Sequence, residues 1–362
     1  MEYIICFFVS STLLHSASKC YEKISGKIIW LLAAFLPILM ATFRSAKVGI
    51  DAMVYVQPYA TWAINANSFM SYITYITANG VELGYAILNY IGANYFGGLA
   101  GVFFLSALLT IIPVYLRLMD FRDEIPVWES SLIFLLLFYN LSLNLARQAI
   151  ALSFLFFAFR YIENNKYVKF ILFMIVSFTF HSSALLGIIY LALVKISKGK
   201  DWKIKQSLTI AALLGLIISY RWIFTAVIQT LFSSNADKYI RAFLPDESGY
   251  LSLWMLLINA FAIMCVIFNK PYLLSVSRYR VYLLMMVFNF VLYLLNQYNG
   301  NCFRYALYFM IMIPQIVPLI RYRFSKNSRF CVDLILVGVF LLYWINFNLL
   351  SDSYGTIPYS MM

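Results

Sequence analysis

The chain has 362 residues, 63% of them hydrophobic and 12% charged, with a net charge of +12. Soluble domains carry roughly 25% charged residues, so this composition excludes a soluble protein and indicates a polytopic membrane protein. The apolar runs are far longer than the ~9–11-residue alternating strands of an outer-membrane barrel, so the spans are expected to be helices.

About twelve transmembrane helices are predicted, at 3–18, 28–43, 96–115, 130–143, 146–160, 167–181, 182–194, 206–220, 251–268, 281–298, 303–320 and 331–350. Together they make residues 1–362 a single all-α polytopic integral membrane domain. The start lacks a positive n-region and a small-x-small cleavage site, so 3–18 reads as a first span rather than a leader. Several runs are shorter than the ~20 residues of a straight span, and 130–160 and 167–194 read as two tight helical hairpins.

Loops at 19–27, 117–129, 160–169, 195–205, 269–280 and 321–329 hold three, two, three, five, three and four Lys or Arg, 20 of the chain's 27. The positive-inside rule puts these loops on the cytoplasmic side and both termini outside. The loop at 117–129 votes weakly, because Asp120, Asp123, Glu124 and Glu129 dilute it. Cations in short loops are explained by topology, so no nucleic-acid partner is expected.

Two outer segments stand apart. Residues 44–95 have intermediate hydrophobicity, broken by Pro58, Asn65, Asn67, Asn79, Gly80 and Glu82, and read as one or two amphipathic helices lying over the spans. Residues 221–250 form a second outer loop with Asp237, Lys238, Tyr239, Arg241 and Asp246.

The outward cations are Arg44, Lys47, Arg147, Arg221, Lys238, Arg241 and Arg304. Arg147 is the most telling. It lies between two apolar runs, where a charge costs about 2.5–3.5 kcal/mol on insertion scales, and arginine does not shed its proton. Asn144 and Gln148 add polarity beside it. Arg44, Arg221 and Arg304 read equally well as helix-end arginines that meet lipid phosphates. His181 falls at the depth of Arg147, while Asp51 and Glu82 are the carboxylates of the first outer segment. Asp333 reads as a helix-start residue.

Cys6, Cys20, Cys265, Cys302 and Cys331 are scattered, and His15 and His181 are too few for an ordinary zinc site. There is no phosphate-binding or dinucleotide loop, so no cofactor is expected, and an ATP-driven pump or a nucleotide-sugar enzyme is disfavoured.

Several local patterns then align. Arg44 followed by Gly49-Ile50-Asp51 and Tyr55, Glu82-Leu83-Gly84-Tyr85, Asn144 to Arg147-Gln148, and Phe180-His181-Ser182-Ser183 resemble, in order, segments of the EpsG family of polysaccharide polymerases within the Wzy-type group. Lys238-Tyr239, Arg304-Tyr305 and Pro358-Tyr359 fit more loosely. The resemblance implies a GT-C-like membrane glycosyltransferase that joins undecaprenyl-pyrophosphate-linked oligosaccharides outside the membrane, for O-antigen, capsule or exopolysaccharide. Implied partners are those lipid-linked sugars, membrane lipids, a chain-length regulator and a flippase.

Arg147, Arg44, Arg241 and Arg304, with Gln148, Lys238 and Tyr239, are the candidates for binding pyrophosphate and sugar. His181 is the preferred base, with Asp51 and Glu82 as alternatives. Outer aromatics such as Tyr55, Trp62, Tyr85, Tyr239 and Tyr250 suit sugar stacking or interface anchoring. A flippase for lipid-linked sugars, an O-antigen ligase and a non-catalytic scaffold are the rival readings. A transporter would be expected to show internal repeats, and none is visible in the sequence.

Overall fold

In the computed structural model, which describes residues 1–198, 201, 203–205, 207–212, 215, 251–269 and 276–362, the apolar runs are helical. Among the described residues the β-structure is one isolated bridge, Arg44 opposite Met361. Among the described residues, six helical stretches are long and apolar enough to cross a membrane: Ile24–Thr42, Leu99–Met119, Val127–Asn144, Arg278–Leu295, Asn301–Arg323 and Lys326–Leu350. The protein is therefore a membrane-embedded, all-α protein. Other expected spans are helices too, but shorter or more polar, as at Tyr167–Phe180 and Leu253–Phe268. The span expected at 206–220 lies largely outside the described residues, and the loop at 221–250 wholly so, with Lys238, Tyr239 and Arg241.

The chain divides into two units, residues 1–187 with 324–362, and residues 188–323. In the first unit, α1 (Glu2–Lys19) packs against α2 (Ile24–Thr42). Pro37 sits inside α2 and brings no N–H, so the carbonyl of Ala33 loses its helical donor. The Ser10 hydroxyl of α1 replaces it, donating to that carbonyl at 2.7 Å. A sequence feature that would weaken one helix thus becomes a cross-helix bond.

The outer segment carries three α-helices rather than one or two: α3 (Gln57–Ile64), α4 (Phe69–Ala78) and α5 (Leu83–Tyr95). A capping box at Ser68 and Ser71 starts α4, and the extended residue Glu82 starts α5. They do more than lie over the spans. Ala52, Val56, Ala60, Tyr72, Ile76 and Tyr85 bury an apolar face against Val102 and Phe103 of α6 (Leu99–Met119) and Ile150.

A helical stretch follows, α7 (Val127–Phe134), a π-turn at Leu135–Tyr139, and α8 (Asn140–Asn144). Leu145 breaks it, and α9 (Ala146–Glu163) begins. The hairpin expected over 130–160 is not a packed pair. α7 packs chiefly on α1, whereas α9 packs on α6 and α10 (Tyr167–Phe180). The tight antiparallel pair is α9 with α10, because Phe154, Phe157 and Tyr161 contact Phe173, and Phe154 stacks on Phe180. A short 3₁₀ turn, Ser182–Leu186, follows α10.

At one end of this unit Arg117 is 2% exposed and pairs with Asp120 at 3.2 Å and Glu163 at 2.6 Å, while Arg160 reaches Asp120 at 2.9 Å. The acids that diluted the charge of the 117–129 loop include an ion-pair partner that joins α6 to α9. Tyr3, Arg44 and the tail gather together elsewhere in the unit, where the Tyr3 hydroxyl donates to the Thr356 carbonyl at 3.0 Å. α16 (Arg329–Trp344) brings the chain there, and Asp333 is buried within it.

The second unit holds α11 (Gly187–Lys198) from Ile188 on, α12 (Leu253–Phe268), α13 (Val276–Leu295), α14 (Asn301–Met310) and α15 (Ile313–Ile316). α13 packs between α12 and α14. The buried Asn289 amide donates to Asn259, and the Tyr293 hydroxyl accepts from the Ser252 N–H at 2.7 Å.

Candidate functional site

The antiparallel pairing of α9 with α10 puts the first turn of α9 beside the last turn of α10. Arg147 is the second residue of α9, and His181 ends α10. Glu82, 65 positions earlier, joins them. Its Oε2 accepts from Arg147 Nη1 at 2.7 Å, and its Oε1 accepts from the Ser182 N–H at 3.2 Å. α5 comes this close because residue 84 is glycine. A Cβ there would lie 2.4 Å from Thr179 Oγ1 and 2.9 Å from the Thr179 carbonyl.

The ion pair is partly exposed, at 31% for Arg147 and 20% for Glu82. One Nη of Arg147 is bound by Glu82, and the remainder of the planar fork is without a bonded protein partner among the described residues. A guanidinium held this way keeps its orientation and retains N–H groups for phosphate oxygens.

His181 is turned toward its own chain. Its Nδ1 accepts from the Ser183 N–H at 3.2 Å and lies 2.7 Å from Ser183 Oγ, which caps the 3₁₀ turn. A ring nitrogen that accepts from a backbone N–H carries no proton, so in the neutral ring Nε2 is the N–H. In this arrangement Nε2 donates, which does not suit a base acting through that nitrogen.

Asp51 is positioned through its backbone. Its N–H donates to Asn144 Oδ1 at 3.1 Å, and Asn144 Nδ2 donates to the Tyr354 carbonyl at 2.7 Å. Gly49 makes this approach possible, with φ +99° and a Cβ position only 3.2 Å from Asn144 Oδ1. Tyr59 lies within electrostatic reach of the cluster. Burial pushes its hydroxyl up, Arg147 opposes that, and Tyr55, Glu82 and Asp51 add to it.

The other arginines are placed differently. Arg44 is 3% exposed, donates to the Leu143 carbonyl at 3.0 Å and lies 4.1 Å from the Phe103 ring centre. Burial pulls its guanidinium down to about 10, still protonated at neutral pH. Gln148 is buried, one residue past Arg147. Arg304 is exposed in the first turn of α14, in the second unit.

Asp51, Glu82, Arg147 and His181 are thus assembled by one unit. Asn144 and Tyr59 join them as residues whose role was not legible. Asn144 showed as polarity beside Arg147 and as the start of a segment resembling the family, with no role assigned, and Tyr59 had no signal beyond its place in a Tyr-rich run.

The EpsG family matches the chain over residues 27–361, nearly its whole length. The chain belongs to the EpsG family. This family is associated with polysaccharide polymerases, which makes the chain a membrane protein of polysaccharide biosynthesis. No curated protein and no solved structure matches it. Every segment that carried the resemblance falls inside the family match, and the Arg147, His181 and Glu82 segments are those brought together here.

Proposed function

We propose that this protein polymerises polysaccharide from undecaprenyl-pyrophosphate-linked repeat units on the outer face of a bacterial cytoplasmic membrane. The observation that carries the reading is Arg147, clamped on one side by Glu82 and open on the other, beside the His181 turn. Family membership supports a role in polysaccharide synthesis. The cation bias of alternate loops supports the outward orientation. Helices α1, α9, α10 and α12 are read as further spans of a GT-C-like fold with about twelve.

In the reaction a hydroxyl of the acceptor sugar attacks the anomeric carbon of the donor. A new C–O bond forms, the bond to pyrophosphate breaks, and undecaprenyl pyrophosphate leaves with the bonding electron pair. Charge grows on the leaving oxygen, where the open fork of Arg147 stabilises it. His181 donates from Nε2 to a phosphate oxygen. Asp51 takes the proton of the attacking hydroxyl. Arg241, Lys238, Tyr239 and Arg304 remain candidates for the second pyrophosphate and for sugar.

The test is polymer length on a gel after deleting the gene and restoring it with Arg147→Ala or Arg147→Lys, at matched protein levels. Loss of one transition-state donor lowers turnover by roughly 10²–10³-fold. The carrier or its acceptor should then bear one repeat unit. Full-length polymer with Arg147→Ala overturns the role. Loss of all exported units indicates a flippase, and long polymer stalled on the carrier indicates a ligase.

A further inference from the structure

Next to the Arg147–Glu82 pair the same unit holds a small, partly open space that the proposed chemistry does not use. It is a cavity of about 20 Å³, lined among others by Arg44, Tyr85, Phe103, Ser106, Tyr139 and Ala146. Tyr85 is three residues past Glu82, and Ala146 precedes Arg147, so this space adjoins the candidate site.

Its polar lining is unusual. Arg44 Nε and Nη1 are buried and make no hydrogen bond within the protein, and the Tyr85 hydroxyl and Ser106 Oγ, close neighbours of each other, are buried beside them without a well-formed bond. Nη2 of Arg44 is the one bonded nitrogen of that side chain, to the Leu143 carbonyl. Among the described residues no carboxylate pairs with Arg44. A guanidinium keeps its charge, and a buried charge without a counter-charge is strongly unfavourable. Each buried donor left unbonded adds to that cost.

The volume limits the occupant. A single water-sized sphere needs about 10–15 Å³, so a space of about 20 Å³ suits a monoatomic occupant better than a pyrophosphate. Water accepts two hydrogen bonds and leaves the charge of Arg44 uncompensated. A monoatomic anion accepts from every N–H and O–H directed at it and neutralises the guanidinium as well. We propose that Arg44, Tyr85 and Ser106 form a buried binding site for one halide ion, chloride under physiological conditions. Arg44 is then a structural cation balanced by a bound anion, and the site stands whether or not the polymerase reading holds.

The experiment uses the full chain purified in detergent. Radiochloride retention is measured by equilibrium dialysis, and Tm is compared in sodium chloride, sodium bromide and sodium gluconate at equal ionic strength. About one chloride per chain is expected, with Tm higher in chloride and bromide than in gluconate. Ser106→Ala and Tyr85→Phe each remove one donor and should weaken chloride retention about tenfold. Arg44→Gln should abolish it. Because Arg44→Gln risks misfolding, the two milder variants decide. Equal Tm in all three salts with no retained chloride overturns the proposal in favour of water. Retention unchanged by Ser106→Ala and Tyr85→Phe overturns it too, since the anion then sits elsewhere.

Discussion

Glu82 bonds Arg147 with one oxygen and the Ser182 N–H with the other, so a single carboxylate sets the position of a cation and of the turn after α10. Glu82→Gln keeps the shape and removes the charge. The pair is only partly buried, so the expected loss of stability is about 1 kcal/mol. The larger effect is expected on polymer length, because Arg147 loses the partner that orients it. Thermal unfolding in detergent read beside a polymer gel checks both, and unchanged polymer would remove Glu82 from the site. Arg147 itself was legible, because a permanent charge between apolar runs is too costly to be incidental. Its partner was not, since nothing in the local pattern around Glu82 selects residue 147. The inward turn of His181 was equally hidden, because it depends on a bond to Ser183 and on backbone geometry.

At the scale of elements, the approach of α5 to α10 rests on a missing side chain. With Thr179 Oγ1 only 2.4 Å from where the Cβ of residue 84 would be, Gly84→Val must push the helices apart. Overpacking of this kind costs roughly 1–3 kcal/mol. It should also break the Glu82 contact with Ser182, so Tm falls and polymerisation falls with it. A variant that folds with wild-type Tm and full polymer would show that the contact is dispensable. The hairpin partners were misassigned from the sequence because run lengths reveal where a chain reverses but not which helix it then packs against. The aromatic contacts of Phe154, Phe157 and Tyr161 with α10 made that choice. The extra helix in the outer segment follows from caps at Ser68 and Glu82, local signals overshadowed by the segment's mixed hydropathy.

At the scale of the molecule, the tail is part of the first unit's site. The carbonyls of Tyr354 and Gly355 accept from the N–H groups of Ile50 and Gly49, and the Ser360 carbonyl accepts from the Ser45 N–H at 2.8 Å. Asn140 donates to Thr356 Oγ1 at 2.9 Å and accepts from the buried Trp344 indole at 2.8 Å. Removing residues 352–362 strips these partners from the segment that carries Asp51. We expect the truncated protein to insert but to lose polymerisation, with earlier thermal unfolding in detergent; retained polymer would show that the tail is passive. By itself the sequence determined the membrane class, the helical character, the charge asymmetry and the family, because hydropathy, loop charge and short motifs are local properties of the chain. Tertiary structure alone decided that Glu82 clamps Arg147, that Asn144 and the tail hold Asp51, and that Arg44 lines a small cavity. Those contacts join residues far apart in the chain, 210 positions for Asn144 and Tyr354, and packing sets such distances.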